Sequence, residues 1–198
     1  MGRIRALFAS GNAHKLRELR ELLPDWEIEP LGAELPDETG STFYENARAK
    51  ALHAREVADP ERYVLGEDSG IEVEGLAGRP GIRSARYAGP AASDEENVAK
   101  LLSDLSGADG DERLARYVSE LVLVTPDGVE IRGTGTLAGR IGKLPRGSGG
   151  FGYDPVFIPV GEERTVAELG DEWKRSHSHR AGSAAAVCAA LGAGGAEL

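Results

Sequence analysis

The order of strand and helix patterns along the chain is the feature that most limits its fold. Residues 5–9 have the short apolar pattern of a buried strand, and leucines at helical spacing in residues 14–23 predict a helix directly after it. Residues 115–125 and 129–137 flank the turn Pro126-Asp127-Gly128 and predict a β-hairpin. Because a hairpin requires antiparallel neighbours, the sequence predicts an α/β protein with a mixed sheet rather than a purely parallel one.

The remaining segments supply further elements and one helix cap. Helices are expected to begin at Thr42, Ser93 and Ser178, with one helical turn at residues 165–168, and strands are expected at residues 25–31, 63–66 and 71–73. Thr42 and Glu45 form a capping-box pattern. The last helix is expected to end near Leu191. A chain of 198 residues can build a core without disulfides, so we expect one domain over residues 1–198. Two lobes around a cleft also fit this length.

Charge and composition exclude several functions. A formal net charge of −10 opposes non-specific binding to long nucleic acids, which requires clustered cations. No apolar run is long enough to span a bilayer, and the apolar start is too short for a signal peptide, so we expect a cytoplasmic protein that binds neither nucleic acid nor membranes. Cys188 is the only cysteine and lies among alanines, which favours a small buried hydrophobic residue over a nucleophile.

The small-residue turn between the first strand and the first helix is a candidate anion site. It consists of Ser10, Gly11, Asn12, Ala13, His14 and Lys15. Free backbone N–H groups at a helix start can point to a phosphate, and Lys15 would add positive charge. Taken alone, an ordinary helix cap followed by a solvated lysine is the better interpretation, since the turn lacks the Gly-Lys-Ser/Thr ending of a Walker A loop.

Carboxylates in two separate segments suggest a metal site. Glu67 and Asp68 follow an apolar strand, where adjacent negative charges repel each other unless a cation or a reaction uses them. Glu38 precedes a predicted helix in a loop and can reach into a cleft. Glu38 and Asp68 are together the hard oxygen ligands that suit Mg²⁺. The alternative is an acidic turn at the edge of the sheet, and Lys50 on its own has the pattern of a solvated lysine.

A glycine-rich segment with two aromatic residues is a candidate base-binding loop. The segment is Gly147-Ser148-Gly149-Gly150-Phe151-Gly152-Tyr153-Asp154-Pro155. Its glycines allow a ligand to approach the backbone closely, and its two rings offer a flat face for a base. Residues 133–138 also match a dinucleotide fingerprint by letters, but no helix follows them, so we interpret them as strand and turn.

Basic side chains cluster just before the last predicted helix, at Lys174, His177, His179 and Arg180. A lone histidine is more often structural, and His177 fits that interpretation. Cations at a helix start oppose the helix dipole. The placement of His179 and Arg180 therefore predicts an anionic or electron-rich partner nearby.

Six motifs, in this order and spacing, resemble the ITP/XTP pyrophosphatase family, the Ham1-like proteins. The motifs are Ser10-Gly-Asn-Ala-His-Lys15, Glu38-Thr-Gly-Ser-Thr-Phe-Tyr-Glu-Asn-Ala47 with Lys50, Glu67-Asp-Ser-Gly-Ile-Glu-Val73, Gly78-Arg-Pro-Gly-Ile-Arg-Ser-Ala-Arg-Tyr87, Gly149-Gly-Phe-Gly-Tyr-Asp-Pro155, and Lys174 with Ser178-His-Arg180. The resemblance implies an elongated mixed β-sheet flanked by helices, two lobes with the nucleotide in the cleft between them, and a homodimer. It also implies Mg²⁺-dependent hydrolysis of ITP, dITP and XTP to the monophosphate and pyrophosphate.

The same resemblance implies roles for individual residues. The turn of residues 10–15 would bind the triphosphate with the help of Lys50. Asp68 would be the catalytic base and a magnesium ligand, Glu38 the second magnesium ligand, and Ser69 a substrate contact. The residues that would hold the sugar and the base are Phe151, Gly152, Tyr153, Asp154, Lys174, His179 and Arg180.

Three departures and two alternative functions accompany this resemblance. Glu67-Asp68 stands where many relatives have two aspartates, which keeps the charge. Arg175 and His177 stand where the family often has asparagine and an aliphatic residue, which affects contacts around the site rather than the reaction. A Maf-like pyrophosphatase is disfavoured by the Gly-Gly-Phe-Gly-Tyr-Asp-Pro segment and the Ser-His-Arg motif. A nucleotide sensor without turnover is disfavoured because binding alone would not need the carboxylates of Glu38 and Asp68.

Overall fold

A computed structural model describes residues 3–194 of the chain. The strands are β1 (Ile4–Ala9), β2 (Trp26–Pro30), β3 (Tyr63–Val73), β4 (Leu114–Val124), β5 (Glu130–Ile141) and β6 (Phe157–Pro159). The helices are α1 (Ala13–Leu22), α2 (Phe43–Val57), α3 (Asp94–Asp104), α4 (Val166–His177) and α5 (His179–Gly194), and short 3₁₀ turns occupy Glu74–Leu76, Gly81–Arg86 and Gly110–Arg113. Among the described residues, none of the helices has the length and apolar character that a membrane crossing requires.

The strands form one six-stranded mixed sheet in the order β2-β1-β3-β4-β5-β6. Strand β1 pairs in parallel with β2, where Ile4 lies opposite Trp26, and with β3, where Ala6 lies opposite Tyr63. Strand β6 pairs antiparallel with β5. The mixed α/β sheet predicted from the sequence is therefore confirmed.

The chain divides into two compact units, each with its own core. The first unit consists of Met1–Asp68, Ser119–Gly135 and His179–Leu198, and the second of Ser69–Val118 and Thr136–Ser178. In the first unit, the fully buried side chains include Phe8, Leu19, Leu65, Leu121 and Val122. In the second unit they include Ile71, Leu101, Val156 and Phe157. The termini predicted as part of one domain, residues 1–2 and 195–198, lie outside the described residues.

Strand β3 differs from the sequence prediction in a way that matters for function. It runs without interruption from Tyr63 to Val73, so Glu67 and Asp68 lie in its middle and not after its end. It is also the third of six strands, which rules out the alternative of an acidic turn at the sheet edge. The apolar pattern breaks at the two carboxylates, and this break led to the prediction of two shorter strands.

The helix caps follow the predictions with local differences. The hydroxyl of Thr42 accepts from Glu45 N, but the Glu45 carboxylate accepts from the backbone and hydroxyl of Ser41, so the predicted capping box is not closed on Thr42. Helix α4 is longer than the expected single turn and is broken at Gly170, which has a φ of 82°. Helix α5 begins directly after Ser178, as predicted, and continues past the predicted end at Leu191.

The glycines of β5 allow helix α5 to approach the strand. A Cβ atom on Gly133 would lie 2.2 Å from the carbonyl oxygen of Ser183, and one on Gly135 would lie 1.9 Å from that of His179. Both distances are far below van der Waals contact, so only glycine permits this packing. The segment 133–138 is therefore part of a strand and not a dinucleotide-binding loop, as predicted from the sequence.

Candidate active site

Glu67 and Asp68 are buried on the central strand and point to opposite faces of the sheet, because side chains alternate along a strand. Their contacts agree with this geometry. Glu67 meets Lys15 of α1 and Arg180 of α5. Asp68 meets Lys50, which lies on α2. Each face of β3 thus carries one carboxylate, and different cationic side chains form ion pairs with the two carboxylates.

Glu67 is fully buried and is held by several partners. Lys15 Nζ lies 2.7 Å from Glu67 Oε2, and Arg180 Nη2 lies 3.0 Å from Oε1. Ser119 Oγ also donates to Oε1 at 3.1 Å. Arg180 forms a second ion pair with Glu18. The network therefore joins α1, β3, β4 and α5 through charged groups.

Opposing effects set the pKa of Glu67. Burial by itself favours the protonated form, but the positive charges of Arg180 and Lys15 favour the carboxylate more strongly, so the pKa of Glu67 lies well below its usual range. The two cations therefore favour the ionised form of Glu67 inside the first unit. The prediction of an anionic group near Arg180 is confirmed, since Arg180 pairs with the carboxylates of Glu18 and Glu67.

Lys50 joins the two carboxylates that were predicted as metal ligands. Its Nζ lies 2.5 Å from Glu38 Oε1 and 3.4 Å from Asp68 Oδ1, and it also donates to the carbonyl of Glu67. The lysine is buried, so its interpretation as a solvated side chain is wrong. Burial lowers the pKa of Lys50, but Asp68 and Glu38 raise it by more, so the ammonium stays charged.

Asn46 links Asp68 to the loop that carries Glu38. Its Nδ2 donates to Asp68 Oδ2 at 3.2 Å, and its Oδ1 accepts from the backbone N–H of Gly40 at 2.8 Å. The side chain is almost fully buried. Sequence reasoning placed Asn46 only in the cap of α2, yet its amide orients both the candidate base and the preceding loop.

Asp68 has the electrostatic character of a base. Burial raises its pKa, and although Lys50 and Lys15 act in the opposite direction, the net shift is upward. A carboxylate with a raised pKa binds a proton more tightly than a solvated aspartate does. Among the described residues of the first unit, Asp68 therefore combines a raised pKa with a fixed orientation by Asn46 and Lys50.

The carboxylates of Glu38 and Asp68 fit a divalent cation only in part. Both reach the same ammonium group of Lys50, so a cation already stands between them. In residues 3–194 there is no group of three or more histidine, cysteine, aspartate or glutamate residues arranged to hold a metal ion. A pair of carboxylates suits Mg²⁺, which keeps several waters and takes further oxygens from phosphate.

The turn before α1 has fewer free amides than predicted. Asn12 Oδ1 accepts from the backbone N–H groups of His14, at 2.9 Å, and Lys15, at 3.2 Å. Ser10 Oγ accepts from Asn12 N at 3.2 Å. These three donors are therefore engaged within the turn. Lys15 departs from the solvated lysine expected of an ordinary cap, because its side chain is only 14% exposed and pairs with Glu67.

The loop of residues 151–154 and Lys174 meet in the second unit. Lys174 Nζ donates to Asp154 Oδ2 at 2.8 Å and lies 4.7 Å from the centre of the Phe151 ring. Asp154 also accepts from Phe151 N and from the hydroxyl of Tyr117. A Cβ atom on Gly150 would lie 2.1 Å from Asp154 Oδ2, so glycine is required for this turn. The structure thus brings together three of the residues predicted to hold the sugar and base.

Tyr153 occupies a different position from the one its sequence context suggests. Its ring is buried in the core of the second unit, and its hydroxyl donates to the carbonyl of Ser84 at 2.8 Å. Burial raises the pKa of Tyr153 above its usual range. Of the two rings predicted to offer a flat face for a base, that of Tyr153 lies in the core and that of Phe151 is partly exposed. The assignment of Tyr153 to substrate binding stays a prediction.

The remaining predicted residues differ in burial and in their contacts. Ser69 follows Asp68 on β3 and is partly buried, and His179 is buried at the start of α5. His177 stacks on Trp173 with a ring separation of 4.6 Å, which supports its structural interpretation. Arg175 is exposed. Cys188 is partly buried beside the core of the first unit, and burial raises the pKa of its thiol, which disfavours a nucleophile.

Sequence reasoning missed Glu18 and Ser119. Glu18 lies three residues after Lys15 on α1, a spacing that places both side chains on one face of the helix. That spacing could have suggested a shared partner. Ser119 lies on β4, and nothing local in the sequence connects it with Glu67.

The mixed sheet with its flanking helices places the chain in the α/β class, and the third strand of this sheet carries buried, ion-paired carboxylates. Within this class, the chain belongs to the Ham1 family, whose model matches residues 6–190. Several curated and solved proteins resemble it over most of their length.

Two curated relatives have the name dITP/XTP pyrophosphatase. The protein from Bdellovibrio bacteriovorus is 48% identical over 180 residues, which cover 87% of this chain and 90% of the relative. The protein from Methylococcus capsulatus is 47% identical over 195 residues, which cover 94% and 95% of the two chains. Among solved structures, a HAM1 protein from Coxiella burnetii is 36% identical with a TM-score of 0.84, and the match covers 96% of this chain and 99% of that one.

Proposed function

We propose that the protein is a nucleoside-triphosphate pyrophosphatase that hydrolyses ITP, dITP and XTP to the monophosphate and pyrophosphate. Its action would keep these non-standard purine nucleotides out of DNA and RNA. The curated relatives named dITP/XTP pyrophosphatase support this activity over nearly the whole chain. The proposal depends above all on the environment of Asp68. Its carboxylate is buried, it contacts Lys50 and Asn46, and burial raises its pKa.

In the proposed reaction, Asp68 accepts a proton from the water that attacks the α-phosphorus. The bond between the α-phosphorus and the bridging oxygen breaks, and pyrophosphate leaves. Lys15 and Lys50 neutralise the charge that grows on the leaving group. Mg²⁺, held by Glu38 and Asp68, would supply further charge neutralisation and orient the phosphates.

The charges of the first unit support the requirement for a metal. Lys15, Lys50 and Arg180 contribute three positive charges, and the carboxylates paired with them contribute four negative charges, from Glu18, Glu38, Glu67 and Asp68. The cluster by itself is therefore slightly anionic and does not attract a triphosphate. One divalent cation would reverse the sign.

The base would be recognised by Phe151 and Lys174. The ring of Phe151 provides an apolar face, and Lys174 provides N–H donors for the 6-oxygen of hypoxanthine or xanthine. Adenine has an amino group at that position and would leave such a donor without a partner. The backbone of Gly152, Tyr153 and Asp154, together with His179, would complete the contacts to the sugar and base.

A homodimer in the cytoplasm completes the proposal. Light scattering at assay concentrations measures the mass of the assembly, and a single chain has a mass of 20.9 kDa. A mass close to one chain at all concentrations would contradict the dimer, without affecting the proposed reaction.

Product analysis with ITP and Mg²⁺ tests the reaction class. The proposal predicts IMP and pyrophosphate in equal amounts, separated by anion-exchange chromatography. IDP and orthophosphate would contradict it. Omission of Mg²⁺ with added EDTA should abolish turnover, and unchanged turnover under these conditions would contradict the metal requirement.

A further inference from the structure

Glu67 connects Lys15 of α1 to buried residues of the first unit. Its side chain is fully buried, and its two oxygens contact Lys15, Arg180 and Ser119. Arg180 is itself only 1% exposed and is held by Glu18 as well. Ser119 is buried and shares a hydrogen bond of 2.9 Å with Ser183. The carboxylate is therefore fixed from several sides and cannot follow a moving lysine.

The ion pair with Glu67 sets the direction of the Lys15 ammonium group. Lys15 is the last residue of the candidate phosphate turn and lies in the first turn of α1. The Lys15 ammonium lies 2.7 Å from Glu67 Oε2, and a lysine ammonium has three N–H donors with which it can also bind a ligand. Without an anchor, a side chain with four rotatable bonds would distribute its charge over many positions.

We propose that Glu67 is a positioning residue that orients Lys15 toward the leaving pyrophosphate, an inference that rests on the proposed function. Glu67 acts through Lys15 and does not touch the substrate. Its own negative charge opposes an incoming triphosphate, since the surrounding cluster is already slightly anionic. Its benefit therefore lies in the geometry of the transition state and not in the affinity for the ground state.

This assignment predicts a separation of kcat from KM. The variant Glu67→Gln keeps the shape of the side chain and removes the charge. We expect kcat for ITP to fall about 10- to 100-fold, because small misplacements of a catalytic group have effects of this order. KM is expected to stay the same or to fall, because one repelling charge is removed. A residue with a purely structural role would lower the melting temperature and leave both constants of the folded enzyme unchanged.

Glu120→Gln is the matched control. Glu120 is a buried carboxylate of β4 in the same unit, and it pairs with Arg132 at 2.7 Å and accepts from Thr134. The change removes the same charge from a comparable ion pair that does not include Lys15. Both kcat and KM of the Glu120→Gln enzyme should match those of the unmodified enzyme.

A double-mutant cycle with Lys15→Met identifies the path of the effect. If Glu67 acts through Lys15, then Glu67→Gln should change kcat by less than about twofold in the Lys15→Met background. Full additivity of the two changes would overturn the inference. Glu67→Asp serves if Glu67→Gln does not fold, because it keeps the buried charge for Arg180 but shortens the side chain by one methylene group. The same loss of kcat and the same non-additivity are then expected.

The experiment separates this inference from the proposed function. Pyrophosphate release from ITP by the unmodified enzyme tests the function itself, and its absence would overturn both. Normal release, together with a kcat of Glu67→Gln or Glu67→Asp equal to that of Glu120→Gln, would overturn the positioning role alone.

Discussion

Glu67 and Asp68 are neighbours in the chain, yet their pKa values move in opposite directions. Two cations surround Glu67 and lower its pKa despite complete burial. Burial dominates at Asp68 and raises its pKa. A group whose pKa is lowered by folding stabilises the folded state when it is ionised, and a group whose pKa is raised destabilises it when it is ionised. The two residues should therefore respond in opposite ways to the loss of charge.

Replacement of Asp68 by asparagine should abolish most activity and raise stability. The loss of a general base lowers turnover about 10²–10⁴-fold. Folding raises the pKa of Asp68, so an ionised Asp68 destabilises the folded state, and the neutral asparagine removes this unfavourable buried charge. Steady-state turnover of ITP and thermal melting at pH 7 are the measurements. Near-normal turnover would mean that the base lies elsewhere, and a lower melting temperature would contradict the dominance of burial.

Replacement of Glu67 by glutamine should lower stability at neutral pH and matter less in acid. Loss of one partner from a buried ion pair typically destabilises by about 3–5 kcal/mol. The folded pKa of Glu67 is lowered, so its contribution is complete above the unfolded-state pKa of about 4.3 and declines as the pH falls below it. Denaturant unfolding at pH 7 and at lower pH measures this difference. A difference that grows in acid would contradict the assigned direction of the pKa shift.

At the scale of single elements, the fit between α2 and β3 positions Lys50 and Asn46. A Cβ atom on Gly66 would lie 2.2 Å from the carbonyl oxygen of Ala47 and 2.5 Å from the backbone nitrogen of Ala51. Both are backbone atoms of α2, so any larger residue must push the helix from the strand. The absence of a side chain at Gly66 is thus a condition for the Asp68 site.

The variant Gly66→Ala should therefore lose stability and activity together. Overpacking of this kind destabilises by about 1–3 kcal/mol, and the displacement of α2 would move Lys50 away from Asp68. Gly192→Ala in helix α5 is the control, because a Cβ atom there meets nothing within 4 Å. Melting temperature and kcat should both fall in the first variant, whereas the second should keep its kcat and lose no stability. Full activity of Gly66→Ala would show that the close packing does not position the site.

The sequence predicted the kind of elements better than the contacts between them. Alternating patterns were sufficient for the strand–helix start, the hairpin and the mixed sheet. The sequence predicted two short strands in place of β3, because Glu67 and Asp68 interrupt its apolar pattern. In the structure, cationic side chains from α1, α2 and α5 pair with these two buried carboxylates. Lys15 and Lys50 looked solvated for the same reason. Their partners are 52 and 18 residues away in the chain, respectively, so local patterns do not contain them.

The short sequence motifs predicted more of the candidate site than the apolar strand and helix patterns did. The resemblance to the Ham1-like proteins rested on short segments such as Glu67-Asp68-Ser69-Gly70, and the family assignment is confirmed over residues 6–190. The roles of individual residues stay predictions, as does a nucleotide between two lobes. Tyr153 illustrates the difference, because its motif indicated a ligand contact while its ring belongs to the core.

At the scale of the whole molecule, we expect the protein to prefer ITP and XTP to ATP. An N–H donor of Lys174 should bind the 6-oxygen of ITP or XTP. The amino group of ATP offers no acceptor at this position, and a buried donor without an acceptor weakens binding by about 1–3 kcal/mol. The kcat/KM for ITP should therefore exceed that for ATP by about 10-fold or more. Lys174→Met should narrow the ratio, whereas equal kcat/KM values for ITP and ATP in the unmodified enzyme would contradict this assignment.

Hydrolysis of ITP in water labelled with ¹⁸O tests the central claim most directly. If Asp68 activates water for attack on the α-phosphorus, the label must appear in IMP, and pyrophosphate must remain unlabelled. Mass spectrometry of both products after a single turnover distinguishes the two positions. Label in pyrophosphate would place the attack on the β-phosphorus and would contradict the proposed role of Asp68.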